Sequence, residues 1–151
     1  MQYWLMKTEP EECSIDDFAK DPSAVIMWDG VRNYQARNFM RTMAIGDEVF
    51  IYHSRCANIG IAGIVRVTRM AYPDPTQFDT NAPYFDPKST PDKPRWDAVD
   101  LQFVRKFTRV IALDELKNEP ALANNPVVRK GNRLSVIPVT KDERDAILAL
   151  L

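Results

Sequence analysis

The chain has 151 residues, the length of one ordinary domain with a real core. A composition of 45% hydrophobic and 27% charged residues excludes a disordered chain, and no apolar run approaches the ~20 residues of a membrane-spanning helix. The net charge of −1 excludes a uniformly basic protein, and the opening segment lacks the pattern of a signal peptide, so the expected location is cytoplasmic.

In chain order, Gln2–Thr8 reads as a first strand of aromatic and apolar residues. Ser14 then caps a short helix, with Asp17 completing a capping-box pattern. Val25–Trp28 is a short buried strand and Asp29-Gly30 a turn. The spacing of Ala36, Phe39, Met40 and Met43 predicts a helix over 31–43, with Asn33, Arg37 and Arg41 on another face. Gly46-Asp47 turns the chain into a strand over 48–54, and 60–70 returns as its hairpin partner.

Residues 71–95 hold six of the eleven prolines and also Tyr72, Phe78, Tyr84 and Phe85; prolines stiffen and aromatics resist disorder, so an ordered lid is expected. Residues 96–107 resume strand alternation from a structural Trp96, 113–118 form a short helix before Pro120, and 129–133 are a basic turn around Gly131. Thr140 and Glu143 form a capping box for the last helix. About six strands with helices inserted between them predict a single α+β domain over 1–151, a curled, barrel-like sheet flanked by short helices. No Gly-rich phosphate loop or strict βαβ rhythm supports a doubly wound sheet.

Charge comes in blocks. Residues 1–30 carry a net −5, 31–71 +4, 72–104 −3, 105–139 +4 and 140–151 −1. A fold that joins the two positive blocks makes a basic face on a neutral molecule; otherwise they are solvated surface. Cys13 and Cys56 have no metal-ligand spacing and there is one histidine, so free thiols and no metal are expected.

Three clusters could carry chemistry. Residues 28–38 place Trp28 at a strand end beside Arg32, Asn33 and Arg37; Trp28 alone reads as core, but the cluster suits an anion or a ring. His53 and Ser54 resemble a base and a nucleophile, yet neighbours on a strand point to opposite faces, which favours a hydrogen-bonding role. In the lid, Tyr72 and Asp74, and Tyr84 to Lys88, combine rings with carboxylates, as a planar heterocycle requires; a self-packed loop has the same composition.

The segments WDGVRNYQARN, GDEVFIYHS, GIAGIVRV, YPDPTQFD, YFDPKS, RWDAVDL and NRLSVIPV, in this order across nearly the whole chain, resemble an EVE domain. That resemblance implies the PUA-like β-pseudobarrel fold and kinship with YTH domains, which enclose a methylated base in an aromatic cage. It implies a non-catalytic reader of a modified base in DNA or RNA, with no cofactor. On this resemblance Trp28 is one pocket wall, Asp29 touches the base edge or the backbone, and Lys7, Thr8, Glu9, His53 and Ser54 border the pocket. The second wall falls to the lid, where Tyr72, Phe78, Tyr84 and Phe85 compete, with Asp74 beside them. Arg32, Asn33, Arg37, Lys88, Arg129, Lys130 and Arg133 are the expected phosphate contacts. The YTH cage has no plain copy here, so methyladenine specificity is not implied.

Two alternatives stand beside this reading. ASCH-type PUA-like relatives are amidohydrolases of modified nucleosides that use a Lys, a Thr and a Glu, types present at Lys7, Thr8 and Glu9; consecutive strand residues rarely converge, however. A lid that binds a peptide is the other.

Overall fold

The computed structural model describes residues 1–151. Six strands form one mixed sheet: β1 (Tyr3–Thr8), β2 (Val25–Trp28), β3 (Glu48–His53), β4 (Gly60–Pro73), β5 (Asp97–Ala112) and β6 (Val136–Val139), in the order β2-β5-β4-β3-β1-β6. β1 and β3 run parallel and every other pair is antiparallel. Four helices accompany them: α1 (Ile15–Ala19), α2 (Tyr34–Met40), α3 (Leu113–Lys117) and α4 (Lys141–Ala149). The expected α+β class and six strands are what the chain forms. The sheet curls without closing, with β2 and β6 as its edges.

The period of two explains the burial. On β1 and β3, Trp4, Met6, Val49 and Ile51 enter one core with α1 and α2. Their alternates Leu5, Phe50 and Tyr52 enter a second core, on the other face, with Leu116 and Ile147. The middle strands are therefore apolar on both sides, and β3 is buried from Val49 to His53.

Three boundaries differ from the sequence expectation. The helix expected over 31–43 is only Tyr34–Met40, because the Asn33 side chain accepts the Ala36 N–H at 2.9 Å and starts it there. Val31 and Met43 are buried as non-helical flanks, which prolong the apolar spacing past both ends. β4 and β5 are longer than expected, and four irregularities in their register let so long a twisted pair stay bonded. Tyr72 and Pro73 thus belong to β4, paired with Ala98 and Asp97, and not to the lid.

The lid itself, residues 74–96, is ordered by buried polar groups. The Gln77 side chain donates to the Asp74 and Trp96 carbonyls at 2.8 and 2.7 Å and accepts from the Arg95 and Trp96 N–H groups at 3.0 Å each. The Trp96 indole donates to Asp86 at 2.8 Å and its ring stacks on Tyr34, with centroids 4.6 Å apart, in keeping with a structural Trp96.

Candidate nucleic-acid interface

β1 and β2 are not neighbours in the sheet, yet residues of both line one cleft. The curl brings β2 back toward β1 and the start of β6 and leaves a gap of about 850 Å³, within the usual size of a ligand site. Lys7 and Thr8 come from the end of β1, Cys13 from the loop before α1, Trp28 and Asp29 from the end of β2, and Tyr84 from the lid. A smaller groove of about 580 Å³ lies between 57–59 and 109–114; it has no aromatic lining, and its Arg109 is paired with Glu115 at 2.7 Å.

Trp28 is only 8% exposed, with one face stacked on Phe18 at 6.5 Å and 17°. It is at once core and cleft wall. Tyr84 lines the same cleft. Its ring lies against Gly30, whose φ of +77° suits glycine and where a Cβ would come within 2.6 Å of the ring. Its hydroxyl donates to the Glu12 carboxylate, and burial together with that bond pushes the phenol up to about 12. Tyr84 is therefore the lid aromatic that reaches the cleft.

Asp29 is half-buried in the cleft wall. Burial and the nearby Asp74 carboxylate raise its pKa above the ordinary value, and the hydrogen bond it accepts is from its own backbone. Burial also lowers the Lys7 pKa. Cys13 is a free thiol pushed up to about 11 by burial and by Asp17 and Asp29, which makes it a poor nucleophile.

Several expected site residues do other work. Asp74 was expected at the pocket surface but is fully buried. It accepts from the Gly30 N–H (2.9 Å), Arg32 (2.9 Å), and the Thr76 N–H (2.8 Å) and hydroxyl (2.6 Å). Burial works against its charge, but these bonds prevail and hold the carboxyl below its usual range. Arg32 also donates twice to the Tyr84 carbonyl, at 3.1 and 2.8 Å, so its guanidinium fastens the lid and is not free for phosphate. Asn33 is spent as the α2 cap. Tyr72, carried away from the lid by the longer β4, donates to Asp100 at 2.5 Å beneath Arg69.

His53 is buried outside the cleft. Its Nε2 accepts the Ile15 N–H at 3.1 Å, and burial lowers its pKa, so it is a neutral acceptor that seats α1. Ser54 donates to the Thr8 carbonyl at 3.4 Å. Glu9 turns to Arg55 at 3.2 Å, and the Thr8 hydroxyl donates to the Cys13 carbonyl at 2.9 Å. Lys7, Thr8 and Glu9 are thus not gathered as a catalytic group.

Of the expected phosphate contacts, Arg37 donates to the Arg95 carbonyl at 2.8 Å, with its guanidinium over Tyr34 at 4.8 Å. Lys88, Arg129, Lys130 and Arg133 are exposed, and Arg133 lies two residues before Ser135, which lines the cleft. Glu12 and Phe18 are participants that sequence reasoning missed. The N-terminal acidic run gave no hint that one member would meet Tyr84, 72 residues away.

Fold and cleft together define the class: an α+β domain built on an open, curled six-stranded sheet, whose cleft is lined by Trp28, Tyr84 and the Asp29 carboxyl. Residues 2–150 match the EVE domain, and the chain belongs to that family. It is 45% identical to human thymocyte nuclear protein 1, over 98% of this chain and 73% of that protein. A crystal structure from Pseudomonas putida matches with a TM-score of 0.95 and 54% identity, covering 98% of each chain. The crystal structure of the human THYN1 protein in complex with DNA containing 5-methylcytosine matches with a TM-score of 0.90 and 44% identity, over 99% of this chain and 97% of that one. An ASCH protein from Zymomonas mobilis, at 13% identity and a TM-score of 0.55, shares the fold alone.

No helix is long and apolar enough to cross a membrane. The human relative is by name a nuclear protein, and the cytoplasmic expectation finds no support in it.

Proposed function

We propose that this chain is a non-catalytic reader that takes a modified base of DNA or RNA, turned out of its stack, into the cleft between Trp28 and Tyr84. The observation that carries the reading is the meeting of Lys7, Trp28, Asp29 and Tyr84 in one cleft of base-accommodating size. The human relative solved with 5-methylcytosine DNA supports it, since this chain has the same fold over nearly its full length.

The energetics are modest. Extruding the base costs a few kcal/mol, least in single strands. Stacking on an aromatic returns about 1–3 kcal/mol. A methyl group filling an apolar corner changes affinity by about 1–3 kcal/mol. Tyr84, which lines the cleft with its ring against Gly30, supplies the aromatic stacking surface. Exposed cations of the 129–133 turn and Lys88 hold the backbone without reading sequence.

The test is a titration of single-stranded oligonucleotides bearing one cytosine or one 5-methylcytosine against the wild type, Trp28→Ala and Tyr84→Ala. The methylated probe is expected to bind more tightly, and each substitution to weaken it about tenfold or more. Tyr84 lies outside both apolar cores, so its variant remains informative if Trp28→Ala misfolds. Equal weak binding of both probes, untouched by either substitution, defeats the proposal.

A further inference from the structure

We infer that the Asp29 carboxyl reads the amino-imino edge of a cytosine-type base, sharing one proton with the ring nitrogen, and so sets the cleft against thymine and uracil. This rests on the reader function proposed above and names the class of base.

The argument begins with which polar groups of the cleft are free. Glu12 is bound to the Tyr84 hydroxyl. Asp17 accepts the Ser14 N–H at 2.8 Å in the α1 capping box, and Asp21 accepts the Ser23 hydroxyl at 3.0 Å. Thr8 is committed to Cys13, and Glu11, also at the cleft, is exposed to solvent and lacks the burial of Asp29. Asp29 follows the tryptophan directly, is half-buried in the wall and receives a hydrogen bond only from its own backbone. It is placed to meet whatever edge a ring presents when the ring lies alongside Trp28.

A carboxylate has acceptors only. Cytosine presents an N4 amino donor beside the N3 lone pair, whereas thymine presents an N3–H between two carbonyl oxygens. Asp29 accepts from N4–H with one oxygen, and a proton taken from solvent bridges the second oxygen and N3. Two parallel charge-assisted bonds result. Thymine gives a carboxylate one bond and sets its carbonyl oxygen against the other carboxylate oxygen. A proton added there stays on the carboxyl alone, because thymine offers no basic ring nitrogen to share it, so the pair stays neutral and gains less on acidification than the charge-assisted cytosine pair. The groups facing Asp29 decide whether the proton is welcome. Asp74 and Glu12 are negative neighbours, Arg32 opposes them, Cys13 and Tyr84 are un-ionised at neutral pH, and Lys7 lines the same cleft. Burial first, then the Asp74 carboxylate and least of all Glu12, already hold the Asp29 pKa above its ordinary value.

The experiment compares single-stranded oligonucleotides with one 5-methylcytosine or one thymine, two rings with the same methyl group and inverted edges. Binding is measured between about pH 8 and about pH 6 at fixed salt, for the wild type and Asp29→Asn. For the wild type, Kd for the methylcytosine probe is expected to fall toward tenfold per pH unit, because complex formation takes up one proton. At the lower pH it is expected to be at least about tenfold tighter than for thymine. An asparagine amide cannot titrate and can turn to match either edge, so Asp29→Asn is expected to lose the pH slope and bring the two probes toward parity.

A methylcytosine affinity that is flat with pH, or equal affinity for both probes, overturns the inference; if Tyr84→Ala still weakens binding, the reader function survives that result. Absence of any binding overturns both. The wild-type comparison is decisive even if Asp29→Asn fails to fold.

Discussion

His53, the chain's one histidine, shows what a buried titratable group does without chemistry. Its Nε2 accepts the first N–H of α1, and burial lowers its pKa. Between that lowered value and the unperturbed ~6.5, the unfolded chain binds a proton that the folded chain refuses. The stabilising contribution is therefore present above about pH 6.5 and is lost as the pH falls through the folded value. The urea midpoint of the wild type is expected to drop across this window. His53→Gln, which keeps an acceptor and removes the titration, is expected to flatten that part of the profile; an unchanged profile assigns the acid sensitivity elsewhere. The His-Ser pairing suggested by the sequence was weak because strand neighbours diverge, and the structure puts both residues outside the cleft.

At the scale of elements, one buried carboxylate joins the segment after β2 to the lid. Asp74 accepts four hydrogen bonds, from Gly30, Arg32 and Thr76, and Arg32 carries the connection on to the Tyr84 carbonyl. Removing one partner of a buried pair costs about 3–5 kcal/mol. Asp74→Ala is expected to lower Tm by on the order of 10 °C and to expose residues 75–95 to proteolysis. Full protection of the lid in that variant rules out the hub role.

Local signals made some elements legible. Ser14 with Asp17 and Thr140 with Glu143 form capping boxes where the sequence places them, since a cap needs only four consecutive residues. The ends of β4, β5 and α2 were misjudged because bulges and buried non-helical flanks prolong or mimic an apolar period, and no local residue records either.

At the scale of the molecule, the β4–β5 pairing does bring the two positive blocks side by side, Gly63 opposite Lys106 and Ile64 opposite Arg105. Much of that charge is then spent internally: Arg32 on Asp74, Arg41 on Asp97, Lys106 on Asp16 and Arg109 on Glu115. The exposed 129–133 turn beside the cleft carries Arg129, Lys130 and Arg133 without an ion pair among the salt bridges of the fold. Replacing all three by alanine is expected to flatten the dependence of log Kd on log salt by about 2 for a single-stranded probe, and to leave the preference between modified and plain cytosine unchanged. An unaltered salt slope places the phosphate contacts on other residues.

By itself the amino-acid sequence determined the α+β class, the order of the strands along the chain, the starts of α1 and α4, the ordered lid and the pairing of Trp28 with Asp29 at a strand end. Each of these depends on side-chain period, caps or turns within a few residues. Only the tertiary structure decided that Tyr84 lines the cleft, that Asp74 and Arg32 are fasteners, and that Asp29 is left unshared. The reason is physical: whether a charged or aromatic group is free to meet a ligand depends on what the curled sheet sets against it, and its partners, Glu12 for Tyr84 and Asp74 for Arg32, come from far along the chain.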